Sequence, residues 1–185
     1  MSKKLAIVFP GIGYHSDKPL LYYSKKLARN KGYDIVEVAY NFNEDFDTIK
    51  GDVTKIQAAF DEAFEQVVEQ LKDIVFTDYE RIVFIGKSIG TALAARFNMT
   101  YDLDADMIVF TPIEHTFAYI NNCEGMVFHG SADPLCDTDM CIQLCEELSL
   151  TYAVIPEANH SLETGDVATD IANLARVIHT VDGIL

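Results

Sequence analysis

No apolar run in this 185-residue sequence approaches the ~18 residues that a membrane span requires. The first run, Leu5 to Phe9, stops at Pro10 and is too short for the core of a signal peptide. Basic residues are scarce: 14 Lys and Arg stand against 29 Asp and Glu, for a net charge of −15. Such a surface repels phosphate backbones and anionic bilayers, so neither nucleic acid nor a membrane is expected as a partner. The acidity itself reads first as solubility. Cysteine is sparse as well. Cys123, Cys136, Cys141 and Cys145 include no C-x-x-C pair. With no secretory signal expected, they point to a reduced, cytoplasmic protein. Cys141 and Cys145 fall in an apolar-periodic stretch, where cysteine serves as a small core residue rather than a metal ligand or catalytic thiol. Repeats, low-complexity tracts and linkers are missing, so one domain spanning residues 1–185 is expected.

What is present is an alternation of short apolar runs with helical periods. Strands are expected at Lys4–Phe9, Asp34–Ala39, Arg81–Ile85, Met107–Phe110, Met126–His129 and Tyr152–Ile155. Between Ile56 and Leu71 the apolar residues recur at i, i+3, i+4 and i+7, which predicts one long amphipathic helix. Further helices are expected over Thr91–Phe97, along the Met140, Cys141, Leu144, Cys145, Leu148 face, and from Val167 to Val181. The strands are continuously apolar, so both of their faces are buried, as in a parallel sheet covered by helices. Right-handed crossovers with one reversal then give a doubly wound α/β sheet, whose site lies beyond the C-terminal strand ends.

The residues after each strand are therefore the informative ones. After the third comes Gly86-Lys87-Ser88-Ile89-Gly90, a G-x-S-x-G leading into a helix. A nucleophilic serine on so sharp a turn needs glycine on both sides, and the helix N-terminus aims free N–H groups at the reacting centre. With seven serines and ten glycines in the chain, chance supplies this pattern roughly 0.02 times. A Walker A loop is excluded, because Arg81 stands where its first glycine would be and a strand fills the interval. After the fifth strand, Asp133 is either the carboxylate that orients a histidine or the cap of an Asx-turn before Pro134. After the sixth, His160 sits where it can reach both, and imidazole can accept a proton near neutral pH. His15, His115, His129 and His179 fit this role less well. Pro10-Gly11-Ile12-Gly13-Tyr14 follows the first strand and is either an ordinary turn or the source of a second oxyanion donor beside the Ile89 amide.

Together these residues resemble the α/β-hydrolase family, whose chain order of nucleophile, acid and base is that of Ser88, Asp133 and His160. Val127 to Pro134, V-F-H-G-S-A-D-P, is similar to the acid-loop segment of the dienelactone-hydrolase-like and small carboxylesterase branches. The resemblance covers nearly the whole chain. It implies a minimal fold of six parallel strands in the order 2-1-3-4-5-6, without the usual N-terminal antiparallel hairpin and without a lid domain. It implies Ser88 as nucleophile, His160 as general base and then acid, and Asp133 as its orienter, with Glu114 the substitute acid. The oxyanion donors would be the Ile89 amide and that of Ile12 or Gly11, Ile12 being preferred; Pro10-Gly11 stands where many members carry His-Gly. Tyr14, His15 and Phe117 are candidate pocket walls, although packing in the core is the first reading for the aromatics. Lys87 would either meet an anionic substrate group or lie on the surface. The implied activity is hydrolysis of a small ester or thioester through an acyl-enzyme, with no metal or organic cofactor required. An amidase, peptidase or acyltransferase on the same triad, or a non-catalytic binding protein on the same scaffold, are the alternatives.

Overall fold

The computed structural model describes residues 3–43, 52–120 and 125–185. Six strands form one sheet: β1 (Lys3–Phe9), β2 (Tyr33–Glu37), β3 (Tyr79–Lys87), β4 (Asp106–Phe110), β5 (Gly125–Gly130) and β6 (Thr151–Ile155). Their spatial order is β2-β1-β3-β4-β5-β6 and every adjacent pair is parallel, as expected. The helices are α1 (Pro19–Asn30), α2 (Val53–Leu71), α3 (Ile89–Tyr101), α4 (Glu114–Phe117), α5 (Thr138–Glu147) and α6 (Val167–Ile184). Among the described residues, no helix is long and apolar enough to cross a membrane.

Successive strand side chains point to opposite faces, and each face has its own core. Leu5, Ile7, Phe9, Phe84 and Val109 pack with α2, α3 and α5. Ala6, Val8, Val83, Ile85 and Ile108 pack with α1 and α6. The result is a three-layer sandwich in which both faces of the central strands β1, β3, β4 and β5 are buried, and this explains why those strands read as unbroken apolar runs. Helix starts are marked by carboxylates: Asp52, Asp137 and Asp166 accept from the backbone N–H of Lys55, Met140 and Thr169. Each such cap contributes about 1 kcal/mol.

Strand β2 ends at Glu37 rather than Ala39, and two further elements depart from the sequence reading. Helix α1 has no counterpart there, because its buried face is not uniformly apolar: Ser24 and Lys25 are buried with Leu20, Leu21 and Ala28. Ser24 satisfies its hydroxyl on the Leu20 carbonyl at 2.7 Å, and Lys25 reaches Glu37 of β2 at 2.8 Å and Asp17 at 3.5 Å. Strand β3 runs two residues past Ile85, so that Gly86 and Lys87 still pair with Val109 and Phe110. That extension carries the following serine to the rim of the sheet.

Candidate active site

The sheet reverses direction of winding at β1 and β3, and the G-x-S-x-G turn lies at the end of β3. Ser88 has φ 57° and ψ −127°, a conformation that a residue with a side chain adopts only under strain of about 1–3 kcal/mol. Its surroundings enforce it. A Cβ on Gly86 would stand 2.9 Å from Thr91 Cα, and one on Gly90 only 2.2 Å from the Phe9 carbonyl oxygen. The turn is fastened by the Ser88 N–H donated to Phe110 O at 3.0 Å and by the Thr91 N–H donated to Ser88 O at 2.9 Å. Thr91 Oγ1 also donates to Ser88 O at 2.6 Å and meets Thr116 Oγ1 of α4 at 2.6 Å. Thr111, just beyond β4, shares the local strain with φ 42°.

Asp133 follows β5 and its side chain is fully buried. Its Oδ1 accepts from Leu135 N–H at 2.9 Å, and its Oδ2 lies 2.7 Å from His160 Nδ1. Burial pushes the Asp133 carboxyl up, but the hydrogen bonds from His160 and the Leu135 amide, with the nearby imidazoles, outweigh it and hold the group below the ordinary range. An ionised carboxylate only accepts, so His160 Nδ1 donates, and in the neutral ring Nε2 then presents a lone pair. That nitrogen stands 2.8 Å from Ser88 Oγ. The loops bearing the two residues are laced together: Ala132 N–H donates to Ala158 O at 2.9 Å, and Glu157 N–H to Ser131 Oγ at 2.8 Å. A Cβ on Gly130 would fall 2.3 Å from Ala158 O, so this crossing needs glycine. Asn159 Oδ1 accepts from the amides of Ser161 and Glu163 and shapes the turn that presents His160.

The loop after β1 rests on the elbow. A Cβ on Gly11 would touch Ser88 Cβ and the Lys87 carbonyl oxygen, each at 3.1 Å. Gly11 N–H donates to Tyr14 O at 3.0 Å, and Tyr14 N–H returns to Gly11 O at 3.1 Å, around Gly13 at φ 67°. The Gly11 amide is therefore engaged inside its own turn, and Ile12 beside it is exposed. The Tyr40 hydroxyl donates to Pro10 O and ties the loop down.

No family model matches the sequence, and no curated protein matches it. Solved structures do match. Est1E from Butyrivibrio proteoclasticus, in its ferulic acid complex, superposes with a TM-score of 0.70 at 13% identity, over 99% of this chain and 88% of its own. Mouse alpha/beta hydrolase domain-containing protein 10 gives 0.62 at 11% identity, over 97% and 90%. XC6422 from Xanthomonas campestris, an α/β serine hydrolase without a lid, gives 0.57 at 18% identity, over 100% and 84%. The chain has the α/β-hydrolase fold. Within that fold, residues 111–124 join β4 to β5, where the short α4 is the described helix.

The remaining candidates of this α/β-hydrolase fold are distributed unevenly. Lys87 is not on the surface: it is 1% exposed, with its ammonium 4.9 Å from the centre of the Tyr14 ring. Burial pushes its pKa down to about 7, against an upward pull from Asp133. Tyr14 is buried as well; its hydroxyl accepts from Leu20 N–H at 3.2 Å, and burial raises its pKa to about 12. It braces the β1 loop and edges a groove of about 400 Å³ with Leu20, Leu162 and Ile171. His15 is exposed. Phe117 is buried in the core yet borders an open groove of about 740 Å³ with Ile113, Glu114 and Leu135. His115 turns away to Tyr119 Oη at 3.1 Å and packs edge-on to Phe60. Glu114 is exposed, and Asp133 already occupies the Nδ1 side of His160. Among the described residues, metal-ligating side chains gather at His129 of β5, Cys136 and Cys141, on either side of Asp133 in the chain.

The elbow supports at Thr116 and Tyr40 have no signal in the sequence. Thr91 follows the motif directly, and a hydroxyl one position past a G-x-S-x-G is the one cue that was available.

Proposed function

We propose that the chain is a serine hydrolase that cleaves small carboxylic esters or thioesters through an acyl-enzyme. The unbroken line from Asp133 Oδ2 through His160 to Ser88 Oγ, at 2.7 and 2.8 Å, carries the proposal. Ser88 Oγ attacks the acyl carbon as His160 Nε2 takes its proton, and buried Asp133 steadies the imidazolium that forms. The amides of Ile89 and Ile12 receive the oxyanion; Ile89 is the first residue of α3, where N–H groups have no partner within the helix. His160 returns the proton to the leaving oxygen or sulfur. Water then repeats the sequence on the acyl-enzyme and frees the acid.

The groove bordered by Ile113, Phe117 and Leu135 is the proposed substrate wall, and exposed His15 on the loop after β1 is the further proposed contact. Its size and apolar sides suit a short acyl or aryl group rather than a long chain. Est1E, whose structure holds ferulic acid, makes aryl esters the first panel to try.

Labelling with a fluorophosphonate probe tests the reading directly. Folded protein is expected to be modified at Ser88, and heat-denatured protein is not. Ser88→Ala should lose both the label and ester turnover, the latter by about 10⁴-fold or more. Turnover that survives Ser88→Ala in purified protein would overturn the assignment.

A further inference from the structure

We propose that His129 near the end of β5, Cys136 on the segment that carries Asp133, and Cys141 of α5 form a binding site for a soft d¹⁰ cation, Zn²⁺ or Cu(I). One ligand atom from each of the three side chains lies within 4.8 Å of the others, and all three residues are at most 2% exposed. Around a common centre with metal–sulfur bonds of about 2.3 Å and metal–nitrogen bonds of about 2.0 Å, ligand atoms stand roughly 3.5–4 Å apart. A contraction of about an ångström therefore closes the site.

A second observation points to a ligand. His129 Nδ1 is buried and has no hydrogen-bond partner. Its other nitrogen, Nε2, lies 3.0 Å from Thr138 Oγ1, and that hydroxyl directs its own proton to Ser131 O at 3.4 Å. In the tautomer with Nε2 as the ring donor, Nδ1 carries a bare lone pair in the interior. A buried acceptor without a partner costs about 1–3 kcal/mol. A Lewis acid removes that deficit where an apolar neighbour does not. We assign Nδ1 as the nitrogen ligand.

The donor set selects the cation. Two thiolates and an imidazole suit Zn²⁺ and Cu(I), whereas Ca²⁺ and Mg²⁺ require oxygen. Three such ligands complete a trigonal Cu(I) site. Cys145, one turn along α5 and in hydrogen-bond contact with the Cys141 thiol, offers a further sulfur for a tetrahedral Zn²⁺. Binding converts two thiols to thiolates and releases their two protons to solvent; no electron is transferred. Because Asp133 and Cys136 are separated only by Pro134 and Leu135, the cation would staple the segment that holds the triad carboxylate.

The test uses the full chain under thiol reductant and reads binding, not hydrolysis, so it stands or falls separately from the proposed activity. Zn²⁺ is competed against a chromophoric chelator and Cu(I) against bicinchoninate, with Co²⁺ as a spectroscopic probe. One equivalent of Zn²⁺ or Cu(I) is expected with submicromolar affinity, and Co²⁺ should give a thiolate-to-metal charge-transfer band. Cys136→Ser and Cys141→Ser should each weaken binding by about 100-fold or more. If neither variant folds, proton release on the unaltered protein decides the matter: two protons per cation, measured in buffers of different ionisation heat. Substoichiometric or weaker binding of both cations, a missing charge-transfer band, or affinity unchanged in folded variants would overturn the site.

Discussion

Lys87 brings an amine into the interior directly behind the serine, under the ring of Tyr14. Its pKa falls from the usual 10.5 to about 7 because burial penalises the charged form. The consequence for stability has a definite sign. Between pH about 7 and 10.5 the unfolded chain binds a proton that the folded chain does not, so the contribution of this group to stability rises with pH across that window. Below pH about 7 both forms carry the charge, and the full penalty of burying it is present. Lys87→Met keeps the length and removes the charge. We expect it to stabilise the fold by about 2–4 kcal/mol at pH 6 and by progressively less towards pH 10. Paired urea melts of the two proteins across that range check it; a difference that does not shrink as pH rises would contradict the burial argument. Nothing in the five-residue motif foretold this burial, since it depends on a tyrosine from another loop closing over the lysine.

At the scale of elements, the meeting of β1, β3 and α3 is decided by glycine. Gly90 sits in the first turn of α3, where the Phe9 and Pro10 carbonyl oxygens would lie 2.2 and 2.5 Å from any added Cβ. Backbone cannot yield there as a flexible side chain would. Gly90→Ala is therefore expected to destabilise by more than about 3 kcal/mol, or to prevent folding. Gly183→Ala is the fitting control, because nothing lies within 4 Å of its Cβ position in α6. Thermal melts of the two variants should differ accordingly, and equal midpoints would sink the steric account. The same elements show what the sequence makes readable. A parallel sheet sends every strand C-terminus to one edge. Three loops after β3, β5 and β6 were thus enough to bring Ser88, Asp133 and His160 into one reading, and the structure joins them by hydrogen bonds. Helix α1 escaped because Ser24 and Lys25 interrupt its apolar face, and their satisfaction depends on the Leu20 carbonyl, Asp17 and Glu37. The gathering of His129 with Cys136 and Cys141 escaped for a similar reason: it follows from the path of residues 131–137, and no residue spacing encodes that path.

At the scale of the molecule, the fold class was legible because continuous apolar strands alternating with amphipathic helices leave few topologies. The net charge of −15 carries a different kind of information. It does not choose the fold, but it sets a self-repulsion that the compact state bears more heavily than the expanded one. Ion pairs such as Arg81–Asp106 and Arg96–Asp61 offset some of it locally, yet acidic residues outnumber basic ones by 29 to 14. Screening should then stabilise the protein. At 10 mM salt the Debye length is about 30 Å, comparable to a small domain, and at 0.15 M it is about 8 Å. Raising NaCl across that interval is expected to lift the melting temperature by roughly 2–5 °C and then to level off. Choline chloride at equal ionic strength should reproduce the rise, because screening is indifferent to the cation. A rise with sodium alone would indicate specific ion binding instead, and a melting temperature that falls with either salt would mean that attractive pairs, not net repulsion, dominate the electrostatics of this chain.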